Sequence, residues 1–209
     1  SVYLRLSRIV CIEFVNCLFF LILIFMPIHL SIAEKIMRIN SLPLSILFTL
    51  VELALFLYVG KKYDLFHIRK ICLKDILKCF LSYALLFLFY IMVNFLGPTQ
   101  SDTTQAVQSF SLSWSVLFVD LCVLAPVTEE IFMRGMLQGI VFKNTYFGLF
   151  ATSLLFAYLH GPYTIPSFIS YLGMGFAFGV RYKTSDNLWN SILLHVLNNL
   201  VAFCFLYMR

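Results

Sequence analysis

The sequence predicts an all-α fold, a polytopic membrane helical bundle of about seven transmembrane segments, and three observations lead to it. Of 209 residues, 61% are hydrophobic and 12% charged, too little polar surface to cover a water-soluble globule of this size. The apolar residues fall into runs of about 20, the length that crosses a bilayer as a helix. Lys and Arg gather in alternate connectors between those runs, the asymmetry that sets membrane orientation.

The first span is expected near 9–28. Arg5 and Arg8 precede it and Ser31-Ile32-Ala33 follows with the small-x-small spacing of a signal cleavage site. The run is longer than a signal core, so a retained span is the expectation. A second span is expected near 43–60 and a third near 76–97, bounded by Pro27, Pro43 and the Gly97-Pro98 breaker. Glu13 and Glu52 are single acids without a His or second acid at helical spacing, and read as interfacial or helix-paired. The connector 61–78 holds six of the 15 basic residues and reads as a cytoplasmic anchor.

Connector 98–111 is polar without Lys or Arg and belongs on the opposite side. A fourth segment runs from Leu112 to near Phe142, a fifth over 145–160, a sixth over 166–180 and a seventh over 188–208. The chain reads as one membrane domain, 1–209, with three N-terminal spans in 1–97 and the core helices in 112–208. Alternation puts eleven basic residues on one side and three on the other, giving a cytoplasmic N-terminus. Gly135 with Gly139, and Gly175 with Gly179, are small-xxx-small pairs that let helices approach closely.

The basic excess serves orientation, and nucleic-acid binding gets no support. Six cysteines form no CxxC pair, and most sit in apolar runs where a thiol behaves as a small hydrophobe.

The stretch 125–138, APVTEEIFMRGMLQ, places Glu129, Glu130 and Arg134 in an apolar run. A charge at a helix centre costs roughly 2.5–3.5 kcal/mol on insertion scales, so these groups must be paired, shielded or facing a wet cavity. Glu130 and Arg134 are four apart with the acid first, the favourable order for an ion pair on one face. Glu129 is turned about 100° away and is left to act as a general base.

Of four histidines, His29 and His67 sit at a span end or in a basic loop. His160 closes the fifth segment with Phe156 one turn before it. His195 lies in the seventh with Asn198 and Asn199 near its face. A histidine or asparagine in a span is more often a hydrogen-bond partner between helices than a catalyst. As a set, however, an acid, a histidine and a His–Asn pair are the parts that activate water and hold an oxyanion. HExxH, GxSxG and GxxxxGK[ST] motifs are absent. Two histidines with Glu129 could hold a divalent metal, but Asn199 is a poor zinc ligand, so no metal or other cofactor is the preferred reading.

Glu129-Glu130-x-x-x-Arg134, Phe156-x-x-x-His160 and His195-x-x-x-Asn199, in that order, resemble the three motifs of the CPBP family of intramembrane proteases. That family, also called Abi, includes CAAX prenyl proteases and bacteriocin-processing or bacteriocin-immunity proteins. The resemblance covers roughly 112–205. It implies that Glu129 with His160 activates the hydrolytic water, that His195 and Asn199 stabilise the oxyanion, and that Glu130 with Arg134 supports the site. It also implies an intramembrane endopeptidase acting near the membrane surface, and the absence of HExxH favours a metal-free glutamate-type mechanism. The partners would be membrane lipids and a peptide or protein substrate, and the setting bacteriocin or peptide maturation or self-immunity in a bacterial cell membrane. The rival readings are a catalytically silent immunity or binding protein and an ion-coupled transporter using Asp120, the glutamates and the histidines as a relay.

Counting from Leu112 puts Glu129 about 25 Å along its segment, near the cytoplasmic end, while His160 lies about 22 Å from that end. Either Pro126 breaks the segment so that 127–141 folds back as a separate helix, the favoured expectation, or the fifth helix starts deeper or dips in without crossing.

Overall fold

The computed structural model describes residues 71–101 and 114–207 continuously, with a few helical positions between 50 and 62. All belong to the second of two units, Ser1–Phe48 and Thr49–Arg209. The expected first span, most of the second, Glu13, Glu52, His29 and His67 lie outside the described residues.

Among the described residues every regular element is a helix, apart from one antiparallel bridge between Ser101 and Pro162. In chain order they are α1 (Leu73–Asn94), α2 (Trp114–Val119), a π-helical turn π1 (Asp120–Leu124), α3 (Ala125–Glu130), a π-helical stretch π2 (Ile131–Val141), α4 (Tyr146–Leu159), α5 (Ile165–Ser185) and α6 (Leu188–Tyr207). The all-α class holds. Among the described residues two helices, Leu73–Asn94 and Leu188–Phe205, are long and apolar enough to cross a membrane, and Tyr146–Leu159 is a shorter apolar helix. Five crossings were expected from residue 76 onward. The elements of 114–141 are each 5–11 residues long, too short for that test, and α5 carries a polar end with Arg181 and Lys183.

Capping residues set the boundaries. Asp75 accepts from the Cys72 backbone N–H at 3.1 Å, so α1 starts three residues before the expected span. It ends ahead of Gly97, at φ 139°, and Pro98. Thr145 accepts from Gly148 N–H (3.1 Å) at the start of α4, and Thr164 from Ser167 N–H (3.2 Å) at the start of α5. On α1, Asp75, Cys79, Leu86 and Val93 are buried, whereas Leu77, Leu81, Leu85, Leu88 and Met92 are exposed. So wide an outward apolar face suits hydrocarbon rather than water.

Residues 114–141 form one uninterrupted helical rod, because every junction residue (Val119, Leu124, Ala125, Glu130, Ile131) keeps right-handed helical dihedrals. The expected break at Pro126 is therefore not made. A proline ring clashes with the carbonyl four residues back and offers no N–H. Here the preceding turn is widened, with Ala125 N–H bonding Asp120 O five residues back, and the proline is taken up without a break. From Ile131 to Gln138 every residue is buried, as expected for a central rod enclosed by its neighbours.

Helices α4, α5 and α6 pack against the rod, and α1 packs on α5 and α6. At Gly175 an added Cβ would lie 2.9 Å from the Ser153 Cα, and at Gly179 it would lie 3.0 Å from Gln138 Oε1, so this glycine pair sets the close approach of α5 to α4 and π2. Arg181 ties α5 to the start of α1, donating to the Asp75 carbonyl (3.0 Å) and facing its carboxylate at 3.6 Å.

Candidate active site

Glu130 is the buried centre of the constellation. It is fully enclosed, and both its oxygens are engaged. Oε2 accepts from Arg134 Nε at 3.2 Å and from the Ser191 hydroxyl, which also lies 3.0 Å from the Phe178 carbonyl. Oε1 meets His195 Nδ1 at 3.1 Å. Arg134, equally buried, donates through Nη1 to Thr152 Oγ1 (3.1 Å) and lies over the Phe156 ring at 5.7 Å. A buried ion pair survives when hydrogen bonds offset its desolvation; Ser191, Thr152 and His195 supply them here, while Arg134 Nη2 is buried without a hydrogen-bond partner.

The expected i,i+4 pair of Glu130 and Arg134 is thus present, and Glu129 points elsewhere, as the helix rotation requires. Glu129 Oε2 is buried without a hydrogen-bond partner and lies 3.9 Å from Nε2 of both His160 and His195. The side chain as a whole remains 32% exposed, so this carboxylate sits at the edge of the buried network with access from outside.

Each imidazole is fixed by its other nitrogen. His160 is the residue after α4, and its Nδ1–H donates to the Phe156 carbonyl one turn back at 2.7 Å. A carbonyl only accepts, so the proton sits on Nδ1 and Nε2 faces Glu129. The same reasoning applies to His195, whose Nδ1 faces the Glu130 carboxylate. Both rings rest on aromatic platforms. His160 lies between Phe156 (centroids 4.3 Å) and Tyr171 (4.4 Å), and His195 stacks on Phe178 (4.4 Å). Tyr171 OH pairs with Ser101 Oγ at 2.8 Å, linking the 98–101 segment to this platform.

Glu129 and His160 meet without a fold-back because the rod continues past Glu129 to Val141, about 18 Å beyond it. After the turn at 142–145, where Lys143 and Asn144 have positive φ, α4 returns about 21 Å to His160. A simple antiparallel hairpin therefore brings both to one level. The segment ends at Val141, close to the expected Phe142, so Glu129 lies well short of its end and not near it.

Asn199 is directed elsewhere. Its Nδ2 donates to the Leu121 carbonyl at 2.8 Å, and its Oδ1 accepts from Asn198 at 3.2 Å. Ser191, Thr152, Tyr171 and Phe178 were not singled out from sequence. Helical spacing does carry a trace of them: Ser191 is four before His195, and Tyr171 and Phe178 are seven apart on one face of α5.

Residues 111–201 match the family model described as Type II CAAX prenyl endopeptidase Rce1-like. The UPF0177 protein YvdC of Lactococcus lactis subsp. lactis (strain IL1403) is 31% identical over 131 residues, 59% of this chain and 50% of that protein. The protein named "Putative membrane peptidase YdiL" of Bacillus subtilis (strain 168) is 24% identical over 102 residues, 48% of this chain and 41% of that protein. The chain spans about half the length of these curated relatives, or less. No solved structure matches it. All three motifs fall within the matched segment, and residues 111–201 thus carry an Rce1-like segment that bears out the CPBP resemblance read from the sequence.

Proposed function

We propose that the chain is an intramembrane endopeptidase that hydrolyses a peptide bond near the membrane surface with water activated by Glu129 and His160. The observation that carries this reading is Glu129 Oε2, buried without a partner and 3.9 Å from two imidazole Nε2 atoms. That separation is too long for a direct hydrogen bond and is one that a single oxygen atom bridges.

The water gives one proton toward Glu129 and the other toward His160 Nε2, leaving an oxygen lone pair for the peptide carbonyl carbon. As the C–O bond forms, Glu129 takes up a proton and the carbonyl oxygen becomes an oxyanion. His195, protonated on both nitrogens, donates from Nε2 to that oxyanion, with Glu130 bracing its other side. Glu129 then passes its proton to the amide nitrogen, the C–N bond breaks, and a carboxylic acid and an amine leave.

The reading is metal-free. The absence of an HExxH helix motif favours it, as does the poor fit of Asn199 as a zinc ligand. The family resemblance supports bacteriocin or peptide maturation, or self-immunity, as the setting.

The test is to reconstitute the chain in liposomes with a library of internally quenched peptides bearing an apolar segment, in ¹⁸O-water. Cleavage should leave ¹⁸O in the new carboxyl, withstand chelators, and vanish in Glu129→Ala, His160→Ala and His195→Ala. Loss on chelation would overturn the metal-free step, and undiminished cleavage by Glu129→Ala would overturn the mechanism. Immunity retained by all three variants without cleavage would make the chain a binding protein.

A further inference from the structure

We infer that Asn199 is a positioning residue, a clamp on the Leu121 carbonyl that Pro126 leaves without a backbone donor. In the widened turn π1, Ala125 N–H bonds the Asp120 carbonyl five residues back. In that register the next carbonyl, Leu121, would accept from residue 126, which is proline and has no N–H. The α-helical alternative, Ala125 N–H, is already spent on Asp120. Leu121 O is therefore orphaned by the sequence itself, and a carbonyl away from water needs a partner. Asn199 Nδ2 supplies it at 2.8 Å.

The amide is held in the one orientation that can do this. Tyr90 OH on α1 donates to Asn198 Oδ1 (3.2 Å), and Asn198 Nδ2 donates to Asn199 Oδ1 (3.2 Å). That leaves Asn199 Nδ2 directed at Leu121. Donors follow acceptors from a hydroxyl at one end to a carbonyl at the other, so flipping either amide would set like atoms against each other. The chain laces α1 and α6 to π1, two helical turns before Glu129. The inference rests on the proposed function only for what Glu129 does. The clamp holds the rod that keeps Oε2 level with both imidazoles.

The test pairs Asn199→Ala with Pro126→Ala, alone and combined, in the full chain reconstituted in detergent micelles. Asn199→Ala should lower Tm by about 5 °C, the shift expected from one half-buried carbonyl left without a partner. On a peptide that the unmodified chain cleaves, it should lower kcat with KM little changed. Adding Pro126→Ala should restore most of both losses, because residue 126 then offers an N–H to Leu121. If Asn199 instead donates directly to the oxyanion, kcat stays low in the double variant and the two Tm effects simply add, which overturns the clamp. Should no peptide be cleaved, the proposed function fails while the Tm coupling of 126 with 199 still decides the clamp. Should Asn199→Ala not fold, recovery by Pro126→Ala supports the clamp and absence of recovery overturns it.

Discussion

The Nδ1 of His195 meets Oε1 of Glu130 at 3.1 Å, and this contact between α6 and α3 joins two sequence motifs into one device. It fixes which imidazole nitrogen faces Glu129, in the way a carboxylate orients a histidine in many hydrolytic sites. Glu130, outwardly the partner of Arg134, is equally the orienter of His195.

Glu129→Gln should reduce kcat by about 10²- to 10⁴-fold, the range for removal of a general base, with Tm nearly unchanged. The isosteric amide keeps the shape and removes the proton acceptor. Single-turnover kinetics in liposomes with Tm by differential scanning fluorimetry separate the two.

Glu130→Leu should be far more damaging to the fold. Removing one partner of a buried pair leaves Arg134 uncompensated, at a cost of about 3–5 kcal/mol. Replacing both, as Glu130→Leu with Arg134→Met, should recover much of the stability and none of the activity, since His195 loses its orienter. Equilibrium unfolding in mixed micelles beside an activity assay checks this.

Tyr171→Phe should keep most activity, because the ring still stacks on His160 and only the hydroxyl contact with Ser101 is lost. Tyr171→Ala should lower kcat about tenfold or more by freeing the imidazole plane, since a misplacement of about 1 Å costs up to about 10²-fold. A kcat comparison of the three forms decides it.

Gly175→Ala should destabilise by about 1–3 kcal/mol, the usual cost of overpacking. Its Cβ would meet the Ser153 backbone at 2.9 Å, and backbone cannot swing aside as a side-chain tip can. Thermal unfolding of the variant measures the loss.

Much of this was legible in the chain. The boundaries expected for the last three segments fall within a few residues of α4, α5 and α6, because Thr145, Thr164 and Asp186 mark helix ends by local chemistry. Glu129, Glu130, Arg134, His160 and His195 do gather, since their cost in an apolar run could be offset only by one another. Pro126 misled because the remedy for it, a widened turn, leaves no mark in hydrophobic periodicity. Tyr171 and Phe178 went unseen because an aromatic in an apolar helix looks the same whether it meets lipid or an imidazole.

Those two aromatics give α5 a function that its own residues do not advertise. Tyr171 and Phe178 stand seven residues, or about 10.5 Å, apart along one helix, and each sets the plane of one histidine. The gauge of the site is thus written in a helix that contributes none of the reacting atoms. One residue inserted between them would turn one platform about 100° away from the other and take its histidine out of register, though every acid and imidazole remained in the sequence.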